Sequence, residues 1–196
     1  MGLTIHYSGS FNKDASLPAM IEEVKDIVSV YNWPFDIYEG HFPPGSFRKK
    51  SYNENIYGIS FTPPECETVS LCFLSNGKMS SPFHLEFYGN PANKEEQKYL
   101  YMLFVKTQYA GAAIHKLLIH LLKYLDKKYF INFKVTDEGE YWETGDEHLL
   151  QEIFNRYTNL INSFSTAIET FPPKAGENFE NYFIRLMKWV NKKNKR

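Results

Sequence analysis

The chain has few of the features that mark a membrane, secreted or metal-binding protein. Its only cysteines, Cys66 and Cys72, are six residues apart and do not supply the four soft ligands of a structural zinc site. No apolar run approaches the roughly 18 residues of a spanning helix. The N-terminus has no basic region before an apolar stretch, and there is no Asn-x-Ser/Thr site. We therefore expect a cytoplasmic protein with no membrane segment, no metal and no cofactor.

The chain also lacks a net charge that would favour nucleic acid or a membrane surface. The formal net charge is −1, so we expect neither partner. A loop at 41–55 carries Arg48, Lys49 and Lys50, too few cations to predict a phosphate-backbone contact. The last nine residues, in contrast, hold five cations, and a sixteen-residue segment holds seven acids without a Lys or Arg. These acids are Asp137, Glu138, Glu140, Glu143, Asp146, Glu147 and Glu152.

Hydrophobic periodicity predicts the secondary structure. Apolar residues at three- and four-residue steps predict helices over 17–32, 112–128, 146–169 and 177–191. The third of these has a possible capping box at Thr144 and Glu147. Alternating or short apolar runs predict strands over 35–39, 56–62, 68–75, 83–88, 100–109 and 130–136. Asn76-Gly77 predicts a tight turn.

A short pattern occurs twice. Residues 4–9 and 106–111 both end in Tyr, a small residue and Gly, and the helix that follows each leads to a second run ending in Glu-Gly. This predicts two strand–helix–strand units of similar length, with Tyr7 equivalent to Tyr109.

We therefore predict an α+β fold: a mixed, mainly antiparallel sheet of six or seven strands with two βαβ-like units and long helices on one face. A three-layer α/β arrangement is the alternative, less favoured because 56–109 contains successive strands without helices. We expect one domain over 1–170, followed by a C-terminal amphipathic helix and basic tail at 171–196.

The carboxyl ends of parallel strands share one sheet edge, where ligands tend to bind. In the predicted fold, polar residues at the strand ends lie at this edge, and the segment after residue 138 adds acidic and aromatic residues. The candidate binding residues are His6, Tyr7, Gln108, Tyr109, Asp137, Glu138, Glu140, Tyr141, Trp142 and Glu143. No catalytic residue can be assigned among them. His115 and His120 are five residues apart on one helix, about 140° around its axis, so they predict solvent-facing or hydrogen-bonded histidines and not a metal pair.

Two segments, VKTQYA at 105–110 and DEGEYWETGD at 137–146, resemble the signature of a family of small, uncharacterised bacterial proteins. The resemblance covers about 100–160 and implies a bacterial, soluble, cytosolic protein. No activity is attached to that family, so it implies no functional residue.

Two functional hypotheses follow. The first is a non-enzymatic interaction protein, such as an immunity or regulatory partner, whose acidic and aromatic surface at 137–147 meets a basic protein. The second is a small enzyme or ligand-binding protein with a polar site at the strand edge. The first needs no catalytic geometry that the sequence fails to supply, and the sequence leaves the oligomeric state open.

Overall fold

A computed structural model describes residues 2–48, 51–89 and 94–193. Lys49 and Lys50 of the basic loop, and Lys195 and Arg196 of the basic tail, lie outside these residues. The chain forms two compact units, residues 1–151 and 152–196. In the part of the chain that is described, no helix is long and apolar enough to cross a membrane.

The strands of the first unit form two sheets. They are β1 Thr4–Phe11, β2 Phe35–Ile37, β3 Tyr57–Phe61, β4 Val69–Phe73, β5 Met79–Ser80, β6 Leu103–Lys106 and β7 Phe130–Asp137. One sheet has the order β6-β1-β7 and the other β2-β3-β4-β5, each with antiparallel neighbours. The predicted α+β class is confirmed, but the prediction of one sheet of six or seven strands is wrong. β1 pairs with β6 and β7, and an isolated bridge from Ser10 to Lys78 joins it to the second sheet.

Six α-helices and one 3₁₀ helix make up the helical structure of the described residues. They are α1 Leu17–Val30, α2 Pro82–Tyr88, the 3₁₀ helix Lys94–Tyr101, α3 Gly111–Tyr129, α4 Tyr141–Thr144, α5 Glu147–Thr170 and α6 Phe179–Lys193. The strand predicted over 83–88 is wrong, because this segment is α2. The Ser81 hydroxyl accepts the backbone N–H of His84 at 3.0 Å, and Pro82 occupies the first turn, where its missing N–H is not needed.

The prediction of two equivalent strand–helix–strand units is wrong. β1 and β2 belong to different sheets, so the first repeat does not form such a unit. β1 instead pairs antiparallel with β6, and Tyr7 lies opposite Leu103. The second repeat does form a unit, because β6 and β7 are both antiparallel to β1 and so run parallel to each other, joined by α3.

The two sheets are linked through buried aromatic residues. The Tyr7 hydroxyl, from β1, donates to the carbonyl of Ser70 on β4 and accepts its N–H, both at 3.0 Å. Burial raises the Tyr7 pKa, which keeps this hydroxyl protonated as a donor. Phe11 and Phe73 meet edge to face at 5.1 Å between ring centroids. These contacts fix β1, the central strand of the sheet that carries the candidate site.

The second unit has a small core of its own. Ala167 on α5 and Tyr182 and Leu186 on α6 are buried together, flanked by Phe164, Phe171 and Trp189. Arg185 donates from Nε to Glu177 Oε1 at 2.8 Å and from Nη2 to Oε2 at 2.6 Å. This hydrogen-bonded pair lowers the pKa of Glu177 to about 2. The apolar stripe predicted for α6 is therefore partly covered within its own unit.

Candidate functional site

The edge of the β6-β1-β7 sheet brings together part of the predicted site. Because β1 is antiparallel to its neighbours, its first residues meet the ends of β6 and β7. The backbone N–H of Leu3 donates to Gln108 Oε1, and that of Thr4 donates to Glu138 Oε2, both at 2.9 Å. Gln108 and Glu138 therefore hold the N-terminal strand through its backbone.

Beneath this edge lies a buried polar chain, formed by Thr107, His115 and Asp137. His115 Nδ1 is 2.7 Å from Thr107 Oγ1, and His115 Nε2 is 2.9 Å from Asp137 Oδ1. Thr107 and His115 are 0% exposed, and Asp137 is 6% exposed. The Nε2 atom of His115 faces the Asp137 carboxylate, and its Nδ1 shares a hydrogen bond with the Thr107 hydroxyl, which also lies within reach of the Leu3 carbonyl. Each of the three buried side chains thus lies within hydrogen-bond distance of another polar side chain.

Asp137 also fixes the loop that follows β7. Its Oδ1 accepts the N–H of Gly139 at 2.7 Å, and its Oδ2 accepts the N–H of Trp142 at 2.9 Å. Burial raises the pKa of Asp137, but the hydrogen bond and charge of His115 and the two backbone donors outweigh it. The pKa of this carboxyl is therefore lowered from its usual value, and Asp137 stays ionised as the anchor of the loop.

Gly139 permits this packing because it has no side chain. A Cβ at this position would lie 2.7 Å from His115 Nε2 and 2.8 Å from Leu150 Cδ1. The sequence interpretation of Glu138-Gly139 as a repeated strand ending missed this role. Gly139 lets the backbone of the loop approach the imidazole closely.

A hydroxyl, an imidazole and a carboxylate in series are also the parts of a nucleophilic triad. In such a triad the nucleophile must reach substrate, whereas the Thr107 hydroxyl is wholly buried. The Thr107 hydroxyl also lies 3.3 Å from the carbonyl of Leu3, so the residue before β1 covers it on that side. The arrangement is suited to positioning the loop, not to nucleophilic attack.

The acidic loop, residues 137–147, has a fixed base and an exposed outer surface. Glu138, Glu140, Glu143, Asp146 and Glu147 are exposed, whereas Asp137 and Tyr141 are buried and Trp142 is half-buried. The expectation of an exposed acidic segment is confirmed for these five acids, and Trp142 is the accessible aromatic residue beside them. The expectation is wrong for Asp137, which is buried.

Groups on α3 and α5 pair with some of these acidic side chains. Lys116 Nζ pairs with Glu147 Oε2 at 2.9 Å, and Asp146 Oδ1 accepts the N–H groups of His148 and Leu149 at 2.8 and 3.1 Å. Asp146, and not the predicted Thr144, therefore caps α5. The side chains of Glu140 and Glu143 form no hydrogen bond or ion pair among the described residues.

The aromatic residues of the loop have different roles. The Tyr141 hydroxyl lies 3.2 Å from His120 Nε2, which ties the loop to α3 from inside. The Trp142 ring meets Phe133 edge to face at 6.0 Å, and Lys123 Nζ lies 5.3 Å from its centroid. Trp142 is thus held in one orientation while part of it remains accessible.

The remaining predicted residues lie on β1 and in the segment after β6. Tyr7 is buried between the sheets, and His6 is exposed beside Phe104, with ring centroids 6.2 Å apart. Tyr109 is 67% exposed, with Lys106 Nζ 5.8 Å from its ring. β1 runs in the direction opposite to the one expected from the repeat, so its first residues, and not its last, meet the ends of β6 and β7.

Comparisons of the chain with protein-family models, with curated proteins and with solved structures found no match. The resemblance to a bacterial family therefore stays a prediction. Across residues 2–48, 51–89 and 94–193, no group of three or more His, Cys, Asp or Glu could hold a metal ion.

The lowered pKa of Asp137 predicts an acid-sensitive fold. A carboxylate with a lowered folded-state pKa stabilises the fold above its unfolded pKa, and this contribution is lost as the pH falls through the folded-state pKa. We expect the free energy of unfolding of the wild type to fall more steeply below about pH 4 than that of Asp137→Asn, so that the two curves converge. Urea unfolding over a pH series measures this. A constant difference between them at all pH values would contradict the assignment.

Proposed function

We propose that the protein is a non-enzymatic interaction protein, an immunity or regulatory partner, that presents the acidic loop to a basic protein. One observation carries the proposal: Glu140 and Glu143 are exposed and have no partner among the described residues, yet they sit on a loop anchored by a buried carboxylate. Unpaired charges on a fixed base keep the geometry that a partner would meet, because little ordering is needed on binding.

The composition of the loop supports a protein partner. Exposed carboxylates steer a basic surface toward the loop and set its orientation. The half-buried Trp142 adds an apolar contact of the type that is enriched at the centre of interfaces. The alternative of an enzyme at the sheet edge has less support, because Thr107 and His115 are closed to solvent.

Reversal of the two unpaired charges tests the proposal. We expect Glu140→Lys with Glu143→Lys to abolish partner capture from an extract of the native cells, because the steering charge becomes repulsive. The melting temperature should stay nearly unchanged, since neither side chain has a partner in the fold. Wild-type capture should also weaken as the ionic strength rises, because exposed charges are screened beyond about 8–10 Å at physiological salt.

The matched control is a second double variant that makes the same change in net charge outside the acidic loop. Asp36 and Glu65 are exposed and form no ion pair among the described residues, so Asp36→Lys with Glu65→Lys should leave capture intact. Equal loss with both double variants would show that net charge alone matters. A large loss of stability with capture intact would show that Glu140 and Glu143 serve the fold, and the proposal would then lose its support.

A further inference from the structure

The first unit has a concave surface that no sequence pattern indicated. A cleft of about 1560 Å³ lies between β2 with residues 51–56 on one side and α2 with the 3₁₀ helix on the other. This exceeds the ~300–1,000 Å³ of typical small-molecule pockets. Tyr38, Tyr52 and Tyr101 line it, so we name it the tyrosine cleft. An elongated ligand would suit its volume better than a single small molecule.

The floor of the tyrosine cleft is aromatic and fixed in place. Tyr38, Tyr52 and Tyr101 pack on a buried cluster that includes Ile56 and Leu100. Their hydroxyls are engaged within the protein. Tyr52 donates to the carbonyl of Gly89, Tyr38 lies 3.4 Å from Ser60 Oγ, and Tyr101 bonds with the side chain of Asn76. All three rings are half-buried, and Lys78 Nζ lies over the Tyr101 ring, 4.5 Å from its centroid. The tyrosines therefore offer ring surface and not free hydroxyls, and Tyr101 shares its ring with Lys78.

The rim of the cleft has charges of both signs in equal number. Three lysines and three glutamates line it and are exposed: Lys78, Lys94, Lys98, Glu39, Glu54 and Glu86. None of the six forms an ion pair with any residue that the structure describes. Their charges sum to zero, so the rim favours neither a polyanion nor a polycation, and a phosphate would meet three carboxylates. The rim offers hydrogen bonds, to which Asn55 and Gln97 add both donors and acceptors.

We propose that the tyrosine cleft binds a neutral oligosaccharide. A pyranose ring has an apolar C–H face that packs on an aromatic ring and a hydroxyl edge that needs both donors and acceptors. The floor supplies the first contact and the rim the second. An extended peptide is the competing occupant, but peptide anchors favour enclosed apolar pockets, whereas this floor offers flat rings below charged side chains.

The test uses defined probes and calorimetric titration of the full chain. The neutral probes are maltohexaose, cellohexaose and the hexamer of N-acetylglucosamine, and the charged probe is an oligogalacturonate of the same length. We expect at least one neutral hexasaccharide to bind, with an affinity that stays unchanged when ionic strength is raised to about 1 M, where the screening length is about 3 Å. No binding of any neutral probe overturns the proposal, and so does binding of the oligogalacturonate alone or of an unstructured peptide alone.

Variants locate the binding surface. Tyr52→Ala removes a floor ring and should weaken binding about tenfold, whereas Tyr52→Phe keeps the ring and should preserve it. Gln97 lies on the exposed rim, so Gln97→Ala should weaken binding several-fold without affecting the fold. It tests the same cleft independently if Tyr52→Ala fails to fold. Tyr109→Ala and the Glu140→Lys, Glu143→Lys double variant leave the cleft intact and should bind as wild type. Unchanged binding by both Tyr52→Ala and Gln97→Ala would overturn the assignment to this cleft.

Discussion

Replacement of Asp137 by Ala is expected to lower the free energy of unfolding by about 3–5 kcal/mol, because it takes the acceptor from three donors, and each buried donor left unsatisfied costs about 1–3 kcal/mol. The variant leaves His115 Nε2 without its acceptor and frees the N–H groups of Gly139 and Trp142. It also removes the anchor that holds the acidic loop against the end of β7. Urea unfolding at neutral pH, compared with the wild type, measures the loss.

The neighbouring acid provides the matched control. Glu138 is exposed and accepts one backbone hydrogen bond from Thr4, so Glu138→Ala should cost about 1 kcal/mol. Equal effects of the two variants would show that burial of the Asp137 contact adds nothing, and the account of the buried polar chain would be wrong. If the proposed function holds, Asp137→Ala should also reduce partner capture, because the loop loses its base.

The sequence predicted the long helices well, because their signal is local. The segments expected over 17–32, 112–128 and 177–191 are Leu17–Val30, Gly111–Tyr129 and Phe179–Lys193 in the structure. Each carries apolar residues at helical spacing, so the chain itself specifies which face is buried.

The error at 83–88 came from a pattern that fits two structures. The order Phe-His-Leu-Glu-Phe-Tyr alternates, as an exposed strand does, but it also places rings four residues apart. In α2 the Phe83 and Phe87 rings are 4.5 Å apart, and those of His84 and Tyr88 are 5.9 Å apart. The Ser81-Pro82 start of the helix decides between the two, and this signal was available in the sequence.

Sheet pairing and the buried polar chain depend on residues far apart in the chain. Thr4 pairs with Lys106, and Ile5 with Asp137, and no local pattern specifies such pairs. His115 was predicted only as solvent-facing or hydrogen-bonded, and its contact with Asp137 follows from the β6–α3–β7 connection. The acidic loop was identified because seven acids without a cation form a local pattern. The role of Asp137 as the anchor of the loop was not identified, because burial of Asp137 depends on the tertiary structure.

Replacement of Gly58 by Ala is expected to be the second strongly destabilising change. Gly58 lies in β3 opposite Cys72 and has a φ of +130°, a region that residues with a Cβ rarely adopt. The added Cβ would lie 2.3 Å from the carbonyl oxygen of Leu71 and 3.1 Å from Cys72 Cα. These neighbours are backbone atoms of a central strand, so they cannot move aside as a flexible side chain can.

We expect Gly58→Ala to cost roughly 2–6 kcal/mol, from about 1–3 kcal/mol of backbone strain and about 1–3 kcal/mol of overpacking. Gly40→Ala is the control, because a Cβ there meets no atom within 4 Å, and its effect should stay within about 0.5 kcal/mol. Thermal and urea unfolding of both variants measure the difference. A Gly58→Ala protein as stable as the control would show that β3 and β4 do not pair in the register found here, with Gly58 opposite Cys72 at the centre of the second sheet.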